Sequence, residues 1–258
     1  MSKRRLFALS DLHLSFASPK PMDVFGAHWS DHVNAIERNW RMTVGAADIV
    51  LVPGDVSWAM RLDGALPDLT WLSGLPGEKV LVRGNHDYWW QSVGKLEALR
   101  LPGLHFVHNN HVVIGPLAVG GSRLWDFPGI LWPFDPLASG GETGGAPAKP
   151  RPAPREGDPE KIRAREIERL KSSLSGLPAD ARLKVALTHY PPLGENGLPT
   201  PLTDLIGSFA VDLCVFGHVH TPAPKSRPGE DIIVGPTRYV LASTDRLAHK
   251  PLFLAEFE

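Results

Sequence analysis

The sequence predicts an α/β fold, and three features of the 258-residue chain support that prediction. Short apolar runs alternate with amphipathic segments, which is the pattern of strands and helices packed in layers. Five of the runs stay apolar until their last residues, as expected for strands covered on both faces of a sheet. Hydrophobic residues make up 43% of the chain and charged residues 21%, which fits a folded protein and excludes a disordered one.

The strand predictions follow the chain in order. The five runs that end in polar residues are RLFALSD, DIVLVPGD, KVLVRGNHD, KVALTHY and DLCVFGHVH. Between the third and the fourth of these, the runs HVVIG and LAVGG flank Pro116 and predict a hairpin. Three late runs, DIIVG, RYVLAS and PLFLAEFE, predict further strands with antiparallel pairing.

Three helices are predicted between the strands. Ser30 is expected to cap the first, because apolar residues then recur at helical spacing. The segment GKLEALR predicts the second. Asp158 is expected to cap the third, with Pro159 in its first turn and Glu160 behind it. The mixed charges of this third helix predict a solvated face.

One domain is expected over residues 1–258, with a flexible loop at 139–157. The loop has five Gly, four Pro and no large apolar residue, so burial cannot offset the entropy of ordering it. Strand-like runs of the same character resume beyond it, which favours a loop over a linker between domains.

Charge and cysteine content narrow the function classes. The net charge is −1, from 27 basic and 28 acidic residues, and this disfavours a nucleic-acid partner, which usually calls for a basic surplus. Cys214 is the single cysteine, so an internal disulfide is excluded. No targeting signal and no run long enough to span a bilayer is recognised, so a cytoplasmic protein without a membrane partner is expected. The oligomeric state is not predicted.

Residue types suited to metal binding or proton transfer stand at the ends of the five main runs. They are Asp11 and His13, then Asp55, then Asn85, His86 and Asp87, then His189, and finally His218 and His220. In an open α/β sheet, ligands gather beyond the carboxyl ends of the strands. Each motif alone fits an ordinary turn or surface pair, but five such ends in order predict one shared site.

The chemistry of these side chains points to metal ions. Imidazole together with carboxylate suits divalent manganese, iron or zinc. One carboxylate can bridge two ions, and two ions about 3.5–4 Å apart can share a nucleophilic hydroxide in phosphoryl transfer. Asn85 would add a neutral oxygen donor. Gly54, Gly84 and Gly217 are expected to let the backbone turn sharply beside the cluster.

The ordered series D-x-H, G-D, G-N-H-D, H and G-H-x-H resembles the calcineurin-like metallophosphoesterase superfamily over residues 11–220. The resemblance implies a four-layer α-β-β-α sandwich of two mixed β-sheets flanked by helices, with a dinuclear metal centre.

The resemblance also implies a role for each matching residue. Asp55 would bridge two divalent ions, which are expected to be Mn²⁺, Fe²⁺/Fe³⁺ or Zn²⁺. The first ion would be held by Asp11, His13, Asp55 and His220. The second would be held by Asp55, Asn85, His189 and His218. His86 would protonate the leaving group, with Asp87 as its orienting partner.

Departures from the family patterns narrow the subfamily. Ser/Thr protein phosphatases of the superfamily carry G-D-x-x-D-R-G and G-N-H-E, where this chain reads GDVSWAM and GNHDYWW. The lipid A pathway hydrolases carry Arg where this chain has His86. The motifs SDLHL and GHVH are similar to those of bacterial cyclic-nucleotide phosphodiesterases, although many relatives share these motifs. KPMDVFGAHWSDH, with GDVSWAM and RGNHDYWW, resembles a bacterial group of predicted phosphohydrolases.

The function expected from these observations is hydrolysis of a small phosphorylated substrate, a phosphate mono- or diester, by a metal-bridged hydroxide with His86 as general acid. The alternatives are a metal-dependent nuclease and a non-catalytic scaffold of the same fold. Arg123 is expected either to contact a phosphate or to be an ordinary surface residue. Six tryptophans near the motifs either line the pocket or pack the loops: Trp29, Trp58, Trp89, Trp90, Trp125 and Trp132.

Overall fold

A computed structural model describes residues 3–127, 130, 157–194, 197–220 and 231–257 of the chain. Two β-sheets flanked by helices form its framework. The strands are β1 (Arg4–Ala8), β2 (Ile49–Val52), β3 (Glu78–Val82), β4 (Leu104–Val107), β5 (His111–Ile114), β6 (Leu117–Ser122), β7 (Leu183–Thr188), β8 (Leu213–Phe216), β9 (Ile232–Val234), β10 (Thr237–Leu241) and β11 (Leu252–Phe257). The helices are α1 (His32–Thr43), α2 (Leu62–Ser73), α3 (Val93–Glu97), α4 (Pro159–Ser175) and α5 (Pro201–Ser208), with 3₁₀ turns at Asp23–Phe25 and Ala27–Trp29.

Both sheets are mixed. The first has the order β11-β1-β2-β3-β4, with β1 to β4 parallel and β11 antiparallel to β1. The second has the order β5-β6-β7-β8-β10-β9, with β6, β7, β8 and β10 parallel. The antiparallel prediction for the late strands is therefore confirmed for β9 and β11 and wrong for the pairing of β10 with β8.

Alternate residues of the second sheet enter two separate cores. Val185 and Leu187 of β7 pack in a cluster shared with the first sheet, α1 and α2. Ala186, between them, packs with Leu170 of α4 and Ile206 of α5. This alternation is what a strand covered on both faces requires, since successive side chains point to opposite faces. The four-layer sandwich expected from the sequence is confirmed.

The short elements are confirmed in part. β5 and β6 form the predicted antiparallel hairpin, and the second helix is present as the five-residue α3. Three elements, β4, α2 and α5, are not predicted from the sequence. One of them, α2, carries Pro67 in its interior, although proline usually breaks a helix. Apart from Gly157, the predicted loop at 139–157 lies outside the described residues, and the single domain over 1–258 stays a prediction.

Two helix predictions need correction. The N-cap of α1 is Asp31 and not Ser30; Asp31 has a left-handed backbone (φ 57°) and makes no side-chain capping bond. Asp158 does cap α4, where its side chain accepts a hydrogen bond from the Glu160 N–H. The face of α4 is not simply solvated, however, because Glu166 is fully buried against Arg169 and Arg123.

Parallel pairing brings the carboxyl ends of β1, β2 and β3 to one edge of the first sheet, and those of β6, β7, β8 and β10 to one edge of the second. The predicted site residues follow these ends. Within the described residues, no helix combines the length and apolar character needed to cross a bilayer.

Candidate metal centre

Main-chain hydrogen bonds join the loops that carry the first site residues. The N–H of Asp11 donates to Gly54 O, and the N–H of His13 donates to Asp55 O, each at 3.0 Å. The backbone is left-handed at Asp11 (φ 58°), His13 (48°), Asp55 (52°) and His218 (71°). Non-glycine residues adopt this region rarely, and where they do they cluster at functional sites.

The glycines beside the cluster act in two ways. Gly54 has φ +90° and supplies the expected sharp turn. Gly84 and Gly217 instead allow close approach: a Cβ on Gly84 would collide with the Asp55 carboxylate, and one on Gly217 would lie 2.6 Å from Asp11 Oδ2. At these two positions the absence of a side chain lets the Asp55 and Asp11 carboxylates lie against the backbone.

The Asp87 carboxylate binds loops and does not bind the His86 ring. It is fully buried, and it accepts four main-chain N–H bonds at 2.8–3.1 Å and one from the Trp89 indole at 2.9 Å. The four main-chain donors are Asp55, Val56, Ser57 and Gly84. The expected pairing of Asp87 with His86 is therefore wrong, because N–H donors from two loops occupy its oxygens.

One group of donors is Asp11, His13 and His220, all buried. Nε2 of His13 and Nε2 of His220 lie 3.3 Å apart, and the latter is 3.6 Å from Asp11 Oδ1. These are three of the four residues that the resemblance gives to the first ion. The fourth, Asp55, has its Oδ2 at 4.0 Å from His13 Nε2.

A second group of donors also adjoins Asp55. Nε2 of His189 is 3.6 Å from Asp55 Oδ2 and 2.5 Å from Asn85 Oδ1. The same Asn85 oxygen is 3.0 Å from Nδ1 of His218. All four residues that the resemblance gives to the second ion are thus together. A donor group of Asp11, Asp55 and His189 also forms, so both aspartates adjoin both halves, and the bridging role of Asp55 stays a prediction.

Two imidazoles are oriented through their remote nitrogens. His189 Nδ1 donates to the Pro53 carbonyl at 2.9 Å, and since a carbonyl only accepts, this fixes the tautomer. His220 Nδ1 donates to Asp245 Oδ1, also at 2.9 Å. Histidines that bind metals commonly show this arrangement. Sequence analysis missed Asp245, although it follows the end of the RYVLAS strand and the same strand-end rule would have found it.

Burial and charge shift the acid–base behaviour of the cluster. Burial, with the charges of Asp87 and Asp11, holds the pKa of Asp55 well above its usual value, and burial raises that of Asp11 to about 6. Burial alone would lower the pKa of His220, but Asp245, Asp11 and Asp55 outweigh it and raise that pKa to about 9. Burial holds the pKa of His13 well below its usual range.

The residues present fit a divalent cation. Because His189 Nδ1 carries the proton, its Nε2 presents a lone pair that faces the Asn85 oxygen at 2.5 Å, so two acceptors converge at one point. Two buried carboxylates, Asp11 and Asp55, lie beside them. Buried carboxylates and facing lone pairs are costly unless a cation or proton lies between them. Imidazole, carboxylate and amide together are the donor set of manganese, iron or zinc.

His86 lies at the rim of this cluster. Its Nε2 is 4.0 Å from Asp55 Oδ2, and its ring packs against Trp58 at 4.2 Å between centroids. Burial, followed by the charges of Lys20 and His220, lowers the pKa of His86 to about 3. The imidazole thus lies beside the Asp55 carboxylate, in surroundings that favour its neutral form.

Some of the tryptophans near the motifs pack in the core, and others contact the side chains of the site. Trp89 and Trp90 are buried in the main core, whereas Trp58 stacks on the His13 ring (4.9 Å between centroids, 23°). Trp29 also packs against His13, and Trp132 lies outside the described residues.

Arg123 is buried and not an ordinary surface residue. It lies 3.9 Å from Glu166 and over the ring of Trp125, and its carbonyl accepts the His189 N–H. A phosphate contact by Arg123 stays a prediction.

Comparisons with known proteins agree with this geometry. A family model described as calcineurin-like phosphoesterase matches residues 4–222. Gene 66 protein of Mycobacterium phage L5 is 32% identical over 78 residues, which are 30% of this chain and 37% of that protein. The match thus spans well under half the length of that curated relative.

Two solved structures share the fold. Phosphopantetheinyl hydrolase (PptH) from Mycobacterium tuberculosis has a TM-score of 0.54 at 17% identity, over 93% of this chain and 89% of that chain. TT1561 of Thermus thermophilus has a TM-score of 0.51 at 14% identity, over 98% of this chain and 99% of that chain. At such identities the likeness concerns the fold alone.

Proposed function

The chain belongs to the calcineurin-like phosphoesterase family, and we propose that it is a phosphoesterase that holds two divalent ions and hydrolyses phosphate mono- or diesters. The observation that carries the proposal is the convergence of seven donor side chains from five strand ends at one edge of the sandwich. They are Asp11, His13, Asp55, Asn85, His189, His218 and His220.

Two sets of these residues would hold the ions. Asp11, His13 and His220 would bind the first, while Asn85, His189 and His218 would bind the second. Asp55, between the sets, would serve both. When bound, such ions lower the pKa of water and neutralise the charge of phosphate oxygens. Three contacts would keep these donors in place. They are the bonds of Asp87 to the loops, that of the Pro53 carbonyl to the His189 ring and that of Asp245 to the His220 ring.

His86 would protonate the leaving oxygen. Its ring lies at the rim, 4.0 Å from the Asp55 carboxylate, and its side chain keeps 20% exposure. A general acid must carry a proton at the working pH, whereas the pKa of His86 is about 3. We therefore propose that the negative charge of the bound phosphate raises this pKa, since an adjacent anion favours the imidazolium.

The proposed substrate is a small organic phosphate, which the protein would hydrolyse in the cytoplasm. The near-balanced charge of the chain supports this class over nucleic acid. Cys214, the single cysteine, is buried in the second core and needs no disulfide-forming compartment.

A direct assay tests the proposal. Protein reconstituted with Mn²⁺ should hydrolyse p-nitrophenyl phosphate or bis-(p-nitrophenyl) phosphate, and EDTA should abolish the activity. His220→Ala should lose it, while the matched control His111→Ala, a histidine of β5, should retain it. A protein that binds its metals and turns over neither ester, nor any of a panel of phosphorylated metabolites, would be a non-catalytic scaffold.

A further inference from the structure

The segment between the first motif and α1 includes Lys20, which the proposed chemistry leaves without a role. The ammonium of Lys20 lies 2.9 Å from the centroid of a Trp58 ring, while the residue as a whole is exposed. The Trp58 indole N–H is directed to the Met22 sulfur at 3.2 Å. The segment Lys20–Met22 thus contacts the same tryptophan that packs against His13 and His86.

Among the described residues, the Lys20 ammonium has no carboxylate counterion. Partial burial lowers the pKa of Lys20 to about 8. A cation–π contact at an exposed site is only a weak interaction. An anionic oxygen would be a stronger partner for the ammonium, and the flexible four-carbon stem lets the group move to meet one.

The position of Lys20 relates it to the leaving group. The Lys20 ammonium and the His86 ring both lie against the Trp58 indole, at 2.9 Å and 4.2 Å from a ring centroid. If His86 protonates the leaving oxygen, the group that departs must lie on the His86 side of the centre. Trp58 and Lys20 are on that side, where Lys20 supplies an exposed positive charge.

We propose that Lys20 binds a second phosphate carried by the leaving group, so that the preferred substrates are organic phosphates with two phosphate groups. The scissile phosphate lies at the metal centre, and the other pairs with the Lys20 ammonium beside Trp58. This inference rests on the proposed function, because it takes the direction of departure from His86.

Two ligands that differ only in the second phosphate test the inference: adenosine 3′-monophosphate and adenosine 3′,5′-bisphosphate. Calorimetric titration into the Mn²⁺-loaded full chain reports a Kd if the ligand is stable and a KM if it is turned over. The bisphosphate should bind about tenfold more tightly or better, as expected for one hydrogen bond between charged groups.

Variants at Lys20 separate recognition from packing. Lys20→Met keeps the stem and should abolish the preference for the bisphosphate while leaving binding of the monophosphate within about twofold. Lys20→Arg should retain the preference, as should the control Lys171→Met on the exposed face of α4.

The inference is overturned if the wild-type chain shows no preference, if the preference survives in Lys20→Met, or if that variant loses both ligands equally. An inactive protein that still shows the preference would refute the catalytic proposal but support the contact between Lys20 and the second phosphate, so the two failures can be told apart.

Discussion

The two sheets hold their parts of the metal centre in different ways. On the first sheet, the loops after β1 and β2 bond to each other through their main chains. The Asp87 carboxylate, on the loop after β3, accepts three N–H groups of the β2 loop and one of its own loop. On the second sheet, two imidazoles are each oriented by one acceptor: His189 by the Pro53 carbonyl and His220 by Asp245. The loops of that side are also joined, since the Gly217 N–H donates to the His189 carbonyl. One carboxylate thus links several loops on the first side, whereas on the second side each of these two rings depends on its own acceptor.

This difference predicts how many of the site residues a single substitution should disturb. A lost contact on the first side should disturb several ligands together, because their backbone is shared. A lost contact on the second side should weaken one ring and spare the rest. Four substitutions test that contrast, from the largest expected effect to the smallest.

Asp87→Ala should have the largest effect. The change removes the acceptor of five N–H groups, and each buried donor left without a partner costs about 1–3 kcal/mol. The free energy of unfolding should fall by more than about 3 kcal/mol, and both ions should be lost. Chemical denaturation and elemental analysis would measure the two effects. Asp87→Asn keeps one acceptor oxygen, so its free energy of unfolding and its metal content should lie between those of Asp87→Ala and wild type. A stable Asp87→Ala protein with full metal content would contradict the view that Asp87 holds these loops together.

Asp55→Asn should damage metal affinity and turnover more than Asp11→Asn does. The amide removes the charge that the proposed bridge offers to two cations. Asp55 Oδ2 lies 4.0 Å from His13 Nε2 and 3.6 Å from His189 Nε2, one histidine from each set. The loss of affinity should exceed the roughly 10–100-fold typical of removing a partner of a ligand. Metal titration of both variants measures it. If Asp11→Asn is the worse variant for both ions, the bridge is Asp11.

His86→Ala should keep its metals and lose rate. His86 follows the proposed ligand Asn85 on the same loop, but its ring lies at the rim, so the contacts that Asp87 makes with the loops should survive its removal. For alkyl esters, the loss of a positioned proton donor should cost ~10²–10⁴-fold in rate. For p-nitrophenyl phosphate the loss should be smaller, because p-nitrophenolate departs without a proton. Equal losses for both substrates together with metal depletion would show that His86 coordinates.

Asp245→Asn should have the smallest effect, confined to one ion. It replaces the acceptor of the His220 Nδ1–H with an amide that still offers an oxygen. Affinity for one metal should fall by roughly 10–100-fold, with the other unchanged, as for other partners of ligand histidines. Titration that resolves two classes of site would measure this. A loss of both ions would mean that the second side is as interconnected as the first.

The strand ends could be predicted from sequence because the change from apolar to polar residues at the end of a strand is a local feature of the chain. An apolar run that stops at a polar residue marks where a covered strand emerges, and parallel pairing then brings such ends together. This reasoning places Asp11, Asn85 and His218 at one edge, where the structure has them.

Side-chain direction and long-range partners could not be predicted in the same way. Asp87 follows His86 in sequence, yet its carboxylate points to loop N–H groups about 30 residues away. Glu166 looks like one more surface charge on α4 until packing buries it against Arg169. Both outcomes depend on which element covers the side chain, and only the folded chain decides that.

The number of metal ions bound tests the central claim most directly. Purified full-length protein, stripped with a chelator and reconstituted with Mn²⁺, should hold two ions per chain by elemental analysis, and phosphoesterase activity should rise as they are restored. A folded chain that binds one ion or none, or one whose activity is the same with and without metal, would contradict the dinuclear phosphoesterase.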